Sequence, residues 1–295
     1  MVPRVVTIFR PTEHDALLVA HGSRGNAAFF LAQRGRSLEE VRARHAAQQE
    51  ALARVSRAVP AKWRRVLIAR QDVDRFLFEP DDIVVAVGQD GLAANTAKYL
   101  SGQPVIGINP DPASYEGVLV PHAPAALAGL LRSVAEGRAH TEARTMVMAQ
   151  ADDGQTLLAL NEVYVGHRSH QSARYVLQWQ DATERQSSSG LIVASGTGAT
   201  GWARSLHRAT QCPLAMPAPT AAALAFFVRE AWPSVRTGAS VTMGIITTGD
   251  VLVLLCEMET DGVVFGDGLE SDRLELRWGQ RLFVGVAPTT LNLVV

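Results

Sequence analysis

The first 136 residues alternate short β-branched runs with stretches of helical character, and this alternation restricts the fold more than any other feature of the chain. Residues 5–9 (VVTIF), 65–69 (RVLIA), 83–87 (IVVAV) and 105–109 (VIGIN) read as strands. Residues 37–59 open with Ser37 and Glu40 in the S-x-x-E spacing of a capping box and continue as a long amphipathic helix. Residues 92–101 and 123–136 read as further helices. Strands alternating with helices predict an α/β fold with a Rossmann-like parallel sheet covered on both faces.

Beyond residue 138 the texture changes. Residues 145–149, 157–165, 174–179, 191–194, 241–247, 251–257 and 282–286 are β-rich and separated by turn residues, with helices expected only near 199–207 and 221–232. This predicts a mainly antiparallel β-rich domain of sandwich type. The short break at 136–141 divides the chain into residues 1–138 and 139–295. The two are expected to pack closely with a cleft between them, the last segment of the chain packing back on the first domain.

Composition removes several functional classes. A chain of 295 residues, 47% hydrophobic and 19% charged, has material for a sizeable core. Its net charge of -1 offers no global attraction to nucleic acid or to an anionic membrane. No apolar run approaches the roughly 18 residues of a spanning helix. The amino-terminal stretch enters a β-branched run with no basic n-region, so a cytoplasmic protein is expected. Cys212 and Cys256 are too few for a disulfide framework or a four-thiolate site and read as ordinary buried thiols. Lys62 and Lys98 are the only lysines, and neither stands in a G-x-x-x-x-G-K-[ST] context, which excludes a P-loop. Neither a G-x-S-x-G elbow nor an HExxH pattern is present.

Three segments remain as carriers of chemistry. GQDGLAAN (residues 88–95) follows an apolar strand and precedes a helix, the place where parallel α/β folds put ligands. Gly88 and Gly91 let backbone approach a phosphate, while Asp90 suits a base for a hydroxyl or a metal partner, or else a helix cap. SGLIVASGTGATGWARSL (residues 189–206) carries Gly196, Gly198 and Gly201 in G-x-G-x-x-G spacing. No acid occurs between Arg185 and Arg229, so the ribose-binding carboxylate of an ordinary dinucleotide fingerprint is missing. An acid-free glycine loop in a stretch that carries Arg185, Arg204, Arg208 and Arg229 suits a polyanion, or is a flexible connection between strands. In LNEVYVGHR (residues 160–168), Asn161 and Glu162 are adjacent in a strand-like stretch. One of them points inward and needs polar partners, or the strand ends there in solvent. His167 and His170 form an HxxH in a polar turn without a third ligand, residues 21–25 (HGSRG) have the look of an anion nest, and no residue set is spaced as a resident metal site.

Taken in order, these segments resemble the NAD kinase family. Its pattern is a G-G-D-G-T turn, an N-E pair, a D-G-L-I-V-A-T-P-T-G-S-T-A-Y-like segment and a late D-G element. They stand here as GQDGL, Asn161–Glu162 as the pair, SGLIVASGTGATGW and Asp267-Gly268. The SSGL and SGTG runs and INPDPASYEGVL (residues 108–119) are most similar to the branch containing the mitochondrial-type enzymes.

The resemblance implies phosphorylation of the adenosine-ribose 2′-hydroxyl of NAD by ATP or polyphosphate with Mg²⁺, in a homodimer or higher homo-oligomer. It assigns the hydroxyl proton to Asp90, the phosphate turn to Gly88 and Gly91, and NAD binding to Asn161, Glu162, Thr197, Gly198, Ala199, Thr200 and Trp202. It makes residues 139–295 the dinucleotide-binding domain. Gln89, Leu92 and Ala199 stand where the family pattern has glycine, threonine and serine. If position 89 needs a positive φ, Gln89 costs about 1–2 kcal/mol. A catalytically silent NAD(P)-binding protein, or a kinase of the same superfold acting on another hydroxyl, are the alternative readings.

Overall fold

A computed structural model describes residues 2–295. The chain forms two compact units, Met1–Glu142 with Asn292–Val295, and Ala143–Leu291.

The first unit contains β1 (Arg4–Phe9), α1 (Glu13–His21), α2 (Arg24–Ala32), α3 (Leu38–Ala58), β2 (Arg64–Ala69), β3 (Asp82–Val87), α4 (Asp90–Ala97), β4 (Pro104–Ile108) and α5 (Leu127–Ala135). Its strands lie in the order β2-β1-β3-β4 and are all parallel. Asn292 and Leu293 extend the sheet, pairing in parallel with Pro104 and Val105. β1, β3 and β4 are buried on both faces because helices cover both, whereas the edge strand β2 is largely exposed. Val5, Val85, Val87, Ile106 and Ile108 pack on Ala51 and Val55 of α3 and on Leu127 and Leu131 of α5. The alternate residues Val6, Ile8, Val84 and Ala86 are fully buried as well, and α4 packs on β3 and β4. The carboxylate of Asp82 is 0% exposed and takes a bidentate bond from Arg4 at 2.7 and 2.6 Å.

Two local details are set by helix caps. The HGSRG segment is a helix–helix corner: Gly22 closes α1 in the left-handed region and Ser23 caps α2. Ser37 caps α3 through the N–H of Glu39, and the reciprocal capping box forms at Thr12 and Asp15 of α1 instead.

The second unit is a β-sandwich with β5 (Thr141–Ala151), β6 (Thr156–Ala159), β7 (Glu162–His167), β8 (Ala173–Trp179), β9 (Ala182–Ser188), β10 (Leu191–Ser195), α6 (Trp202–Ala209), β11 (Ala223–Val228), β12 (Met243–Thr247), β13 (Leu252–Cys256), β14 (Gly262–Gly266), β15 (Leu269–Leu276) and β16 (Arg281–Val294). One antiparallel sheet runs β12-β11-β10-β7-β14-β15, and the other brings together β16, β13, β8 and β9, with β5 beside β16 and β6 beside β5. Val163, Val165, Leu191, Val193 and Phe226 of the first sheet meet Leu177, Leu254, Leu282 and Val284 of the second. The outer face of the six-stranded sheet carries Tyr164, Ile192, Ala225 and Phe227 beneath α6.

The helix expected at 221–232 is instead strand β11. Its alanine-rich sequence favours helix locally, but both backbone edges pair, with β10 and with β12, and burial in the sheet overrides propensity. The run 157–165 breaks at 160–161, which separates β6 from β7. Cys212 and Cys256 are free and buried. Among the described residues no helix is long and apolar enough to cross a membrane.

Candidate functional site

In the first unit β3 runs through Gly88 into α4. Gln89 is the helix N-cap, with φ -98° and ψ 167°, so the side chain replacing the family glycine sits in ordinary extended backbone. The strain considered for a positive φ does not arise. Leu92, in place of threonine, is buried in α4.

Asp90 is not the helix cap. Its Oδ1 accepts the N–H of Leu119 at 2.7 Å and its Oδ2 that of Val118 at 3.1 Å. The segment it holds is pinned elsewhere too. The buried Asn109 donates to the Tyr115 carbonyl at 3.0 Å and accepts the Asp111 N–H at 2.9 Å. A Cβ at Gly107 would fall 1.9 Å from the Leu119 carbonyl oxygen, so β4 must be bare where this segment crosses it.

A cavity of about 380 Å³ opens beside the turn, with Gly88, Gln89 and Gly91 on one wall and Arg10, Arg44 and Asp111 among its other lining residues. Arg10 makes no ion pair among the described residues, while Arg44 lies 3.5 Å from Glu13. Glu13 is held chiefly by Arg36, which keeps its carboxyl below the usual range despite partial burial. A Cβ on Gly91 would meet nothing within 4 Å, so internal packing does not demand glycine there. Bare backbone at a helix start, with arginine nearby, suits a phosphate. Asp90 is not among the residues lining this cavity.

In the second unit three distant motifs meet. Asn161 and Glu162 stand at the break before β7, both half-buried. Asp267 accepts the N–H groups of Leu160 at 3.0 Å and Asn161 at 2.6 Å, and its own N–H donates to the Glu162 carbonyl at 3.0 Å. Asp267 and Gly268, at φ 53° and 66°, are the two-residue turn joining β14 to β15. The Ser195 hydroxyl donates to the Leu160 carbonyl, and the Ser195 N–H to that of Asn161 at 2.9 Å. Burial, and then the charge of Asp267, push the Glu162 carboxyl up to about 7.

Two glycines of residues 196–201 have an internal packing reason. A Cβ at Gly198 would lie 2.2 Å from the Asn161 carbonyl oxygen, and one at Gly196 would lie 2.2 Å from that of Ala218. Both are bare where the chain's own backbone passes. Thr197, next to them, is 6% exposed and its hydroxyl finds no partner. Such an orphan in a site fits an absent ligand. Ala199 is half-buried and Thr200 exposed.

Trp202 opens α6 and stacks on Tyr164, with ring centroids 5.8 Å apart and planes 9° from parallel. The Arg229 guanidinium lies 5.2 Å from its centroid. These three residues, with Phe265 and Arg273, line a cavity of about 480 Å³. Glu162 and Tyr164 alternate with the core residue Val163 and so share the outer face of the sheet. Of the residues assigned to NAD, only Trp202 lines this cavity. Tyr164, Arg10 and Arg44 are not legible as candidate site residues, because no local motif marks them, whereas Arg229 stands among the arginines of the acid-free stretch.

A parallel α/β unit joined to an antiparallel β unit matches the two-domain fold of NAD kinase structures. The chain is similar to an NAD kinase from Archaeoglobus fulgidus in complex with ATP, at TM-score 0.59 and 16% identity, covering 99% of this chain and 93% of that one. It is also similar to yeast NADH kinase complexed with NADH, at TM-score 0.61 and 16% identity, covering 100% and 84%. At this identity the likeness is one of fold. No protein-family model matches the chain, and no curated protein matches it by sequence.

Proposed function

We propose that the chain is an NAD kinase that transfers a phosphoryl group from ATP or polyphosphate to the 2′-hydroxyl of the adenosine ribose of NAD. The observation that carries this reading is the GQDG turn, presenting Gly88 and Gly91 to an arginine-bearing cavity in a chain of NAD kinase fold.

The ribose hydroxyl is a poor nucleophile. In the balanced step its oxygen bonds the transferred phosphorus, the bond to the donor's leaving oxygen breaks, and the hydroxyl proton passes to Asp90. A positioned carboxylate contributes about 10²–10⁴-fold, or about 3–5 kcal/mol of barrier. The two backbone N–H bonds fix the orientation of Asp90, and each oxygen retains accepting capacity. Arg10 and Arg44 bind the donor phosphates. Mg²⁺ favours oxygen ligands and keeps several waters, and the carboxylate of Asp111 in the cavity wall fits it. When bound, the ion neutralises phosphate charge. Asn161 and Glu162 hydrogen-bond the dinucleotide, and Thr197, Gly198, Ala199, Thr200 and Trp202 wall its pocket.

The SSGL, SGTG and 108–119 stretches support the mitochondrial-type branch, and a cytoplasmic homo-oligomer goes with the reading. One observation favours a second reading, a catalytically silent NAD(P)-binding member: both oxygens of Asp90 are engaged by backbone, and the residue does not line the cavity. NADP formation from NAD, ATP and Mg²⁺, measured beside NAD binding by calorimetry, decides. Turnover supports the kinase, binding without turnover supports the silent member, and neither overturns both.

A further inference from the structure

His14 is 7% exposed, yet neither ring nitrogen has a hydrogen-bond partner. Buried imidazole nitrogens ordinarily find partners, so this one lacks something. His14 sits in the first turn of α1 beside Asp15, and α3 brings His45 against the pair, with the two imidazole centroids 4.6 Å apart and tilted by 40°. One ligand atom from each of His14, Asp15 and His45 lies within 4.8 Å of the others.

The surroundings fix these groups in place. Oδ2 of Asp15 accepts the Thr12 N–H and hydroxyl, each at 2.8 Å, while Oδ1 faces His45 Nδ1 at 3.6 Å. The Thr12 hydroxyl also meets His45 Nδ1 at 2.8 Å. Outer partners of this kind orient metal ligands.

We propose that His14, Asp15 and His45 form a binding site for a transition-metal dication, Zn²⁺ in the first instance. Two imidazoles and a carboxylate are the donor set of such an ion and not of Mg²⁺, which takes oxygen ligands. Zn²⁺ bonds of about 2.0–2.2 Å put tetrahedral ligand atoms roughly 3.3–3.6 Å apart. The ligand atoms, now within 4.8 Å of one another, must draw together by about 1 Å to hold the ion. Three protein ligands leave a fourth position open, and His45 also lines the cavity that holds the GQDG turn. The site stands on the first unit alone and does not rest on the kinase reading. The 30 residues between His14 and His45 conceal it from spacing patterns.

The test uses the tag-free full chain, stripped with a chelator and titrated with Zn²⁺ by calorimetry and with Co²⁺ by visible absorbance. One equivalent bound at micromolar Kd or tighter, with the intense d–d bands of a tetrahedral site, is expected. His45→Ala, at a less buried position, weakens binding at least 100-fold, as does His14→Ala. The double variant H167A/H170A binds as the wild type does. Absence of binding by the folded wild-type chain, or affinity unchanged in a folded His45→Ala variant, overturns the proposal. If His14→Ala does not fold, the His45→Ala titration and the wild-type Co²⁺ spectrum decide.

Discussion

Asp90 Oδ1 accepts the backbone N–H of Leu119 at 2.7 Å, so the residue proposed as the base is also the clamp on the segment crossing β4. Asp90→Asn replaces one accepting oxygen by an NH₂ group that faces a backbone donor. The loss of stability is expected to be about 1–3 kcal/mol, with faster amide exchange at Leu119. Turnover is expected to fall by roughly 10²-fold or more. Near wild-type NADP formation in the purified variant removes Asp90 from the chemistry and leaves it the clamp alone.

Gly91 and Gly107 separate ligand approach from internal packing. Alanine at Gly107 drives a Cβ into the backbone of Leu119 and Val120 and is expected to cost about 3 kcal/mol or more, visible as a lowered Tm. Alanine at Gly91 meets nothing and is expected to leave stability unchanged or raised by up to about 1 kcal/mol. It is nonetheless expected to weaken ATP binding about tenfold, as measured by calorimetry. Equal ATP affinity in Gly91→Ala would place the donor phosphates elsewhere.

Glu162 sets a pH dependence. Burial and Asp267 raise its folded pKa from 4.5 to about 7, so between these values the folded state holds a proton that the unfolded chain has released. Stability therefore falls as pH rises from 4.5 to 7, and above 7 the full penalty is present, about 3 kcal/mol. Glu162→Gln is expected to flatten that slope in denaturant titrations across pH 4.5–7.5 and to be the more stable protein at pH 8. An unchanged slope would mean that the carboxyl is hydrated in solution.

On the proposed function, the face that Trp202 would present to the dinucleotide is already aligned by Tyr164. Trp202→Ala is expected to weaken NADH binding by roughly 3–10-fold, the worth of an aromatic stack of about 0.5–1.5 kcal/mol, and Trp202→Phe to restore most of it. Titration of NADH fluorescence measures both, and equal affinities for all three proteins would take the ring out of the pocket.

Periodicity makes some interior strands legible, though not the short, equally buried β14. β1, β3, β4 and β10 are buried, and their β-branched runs state as much without help from neighbours. β9 and β15 escaped because they close the edges of their sheets, where polar residues such as those of ATERQSS and LESDRLEL are tolerated. The 221–232 run was misjudged for the converse reason: alanine favours helix until two partner strands claim its backbone.

The chemistry divides in the same way. Short-range order in the chain determined the strand–turn–helix at 88–95, the Asn161–Glu162 pair and the alternation of strands and helices, since each depends on neighbours within a few residues. Contacts across large sequence separations decided the rest. Asp267 reaches back to Asn161, Leu119 claims Asp90, Gly198 is bare for the Asn161 carbonyl, and His45 comes to lie against His14. A hydrogen bond or a close backbone contact has no period along the chain, so it is written only in three dimensions.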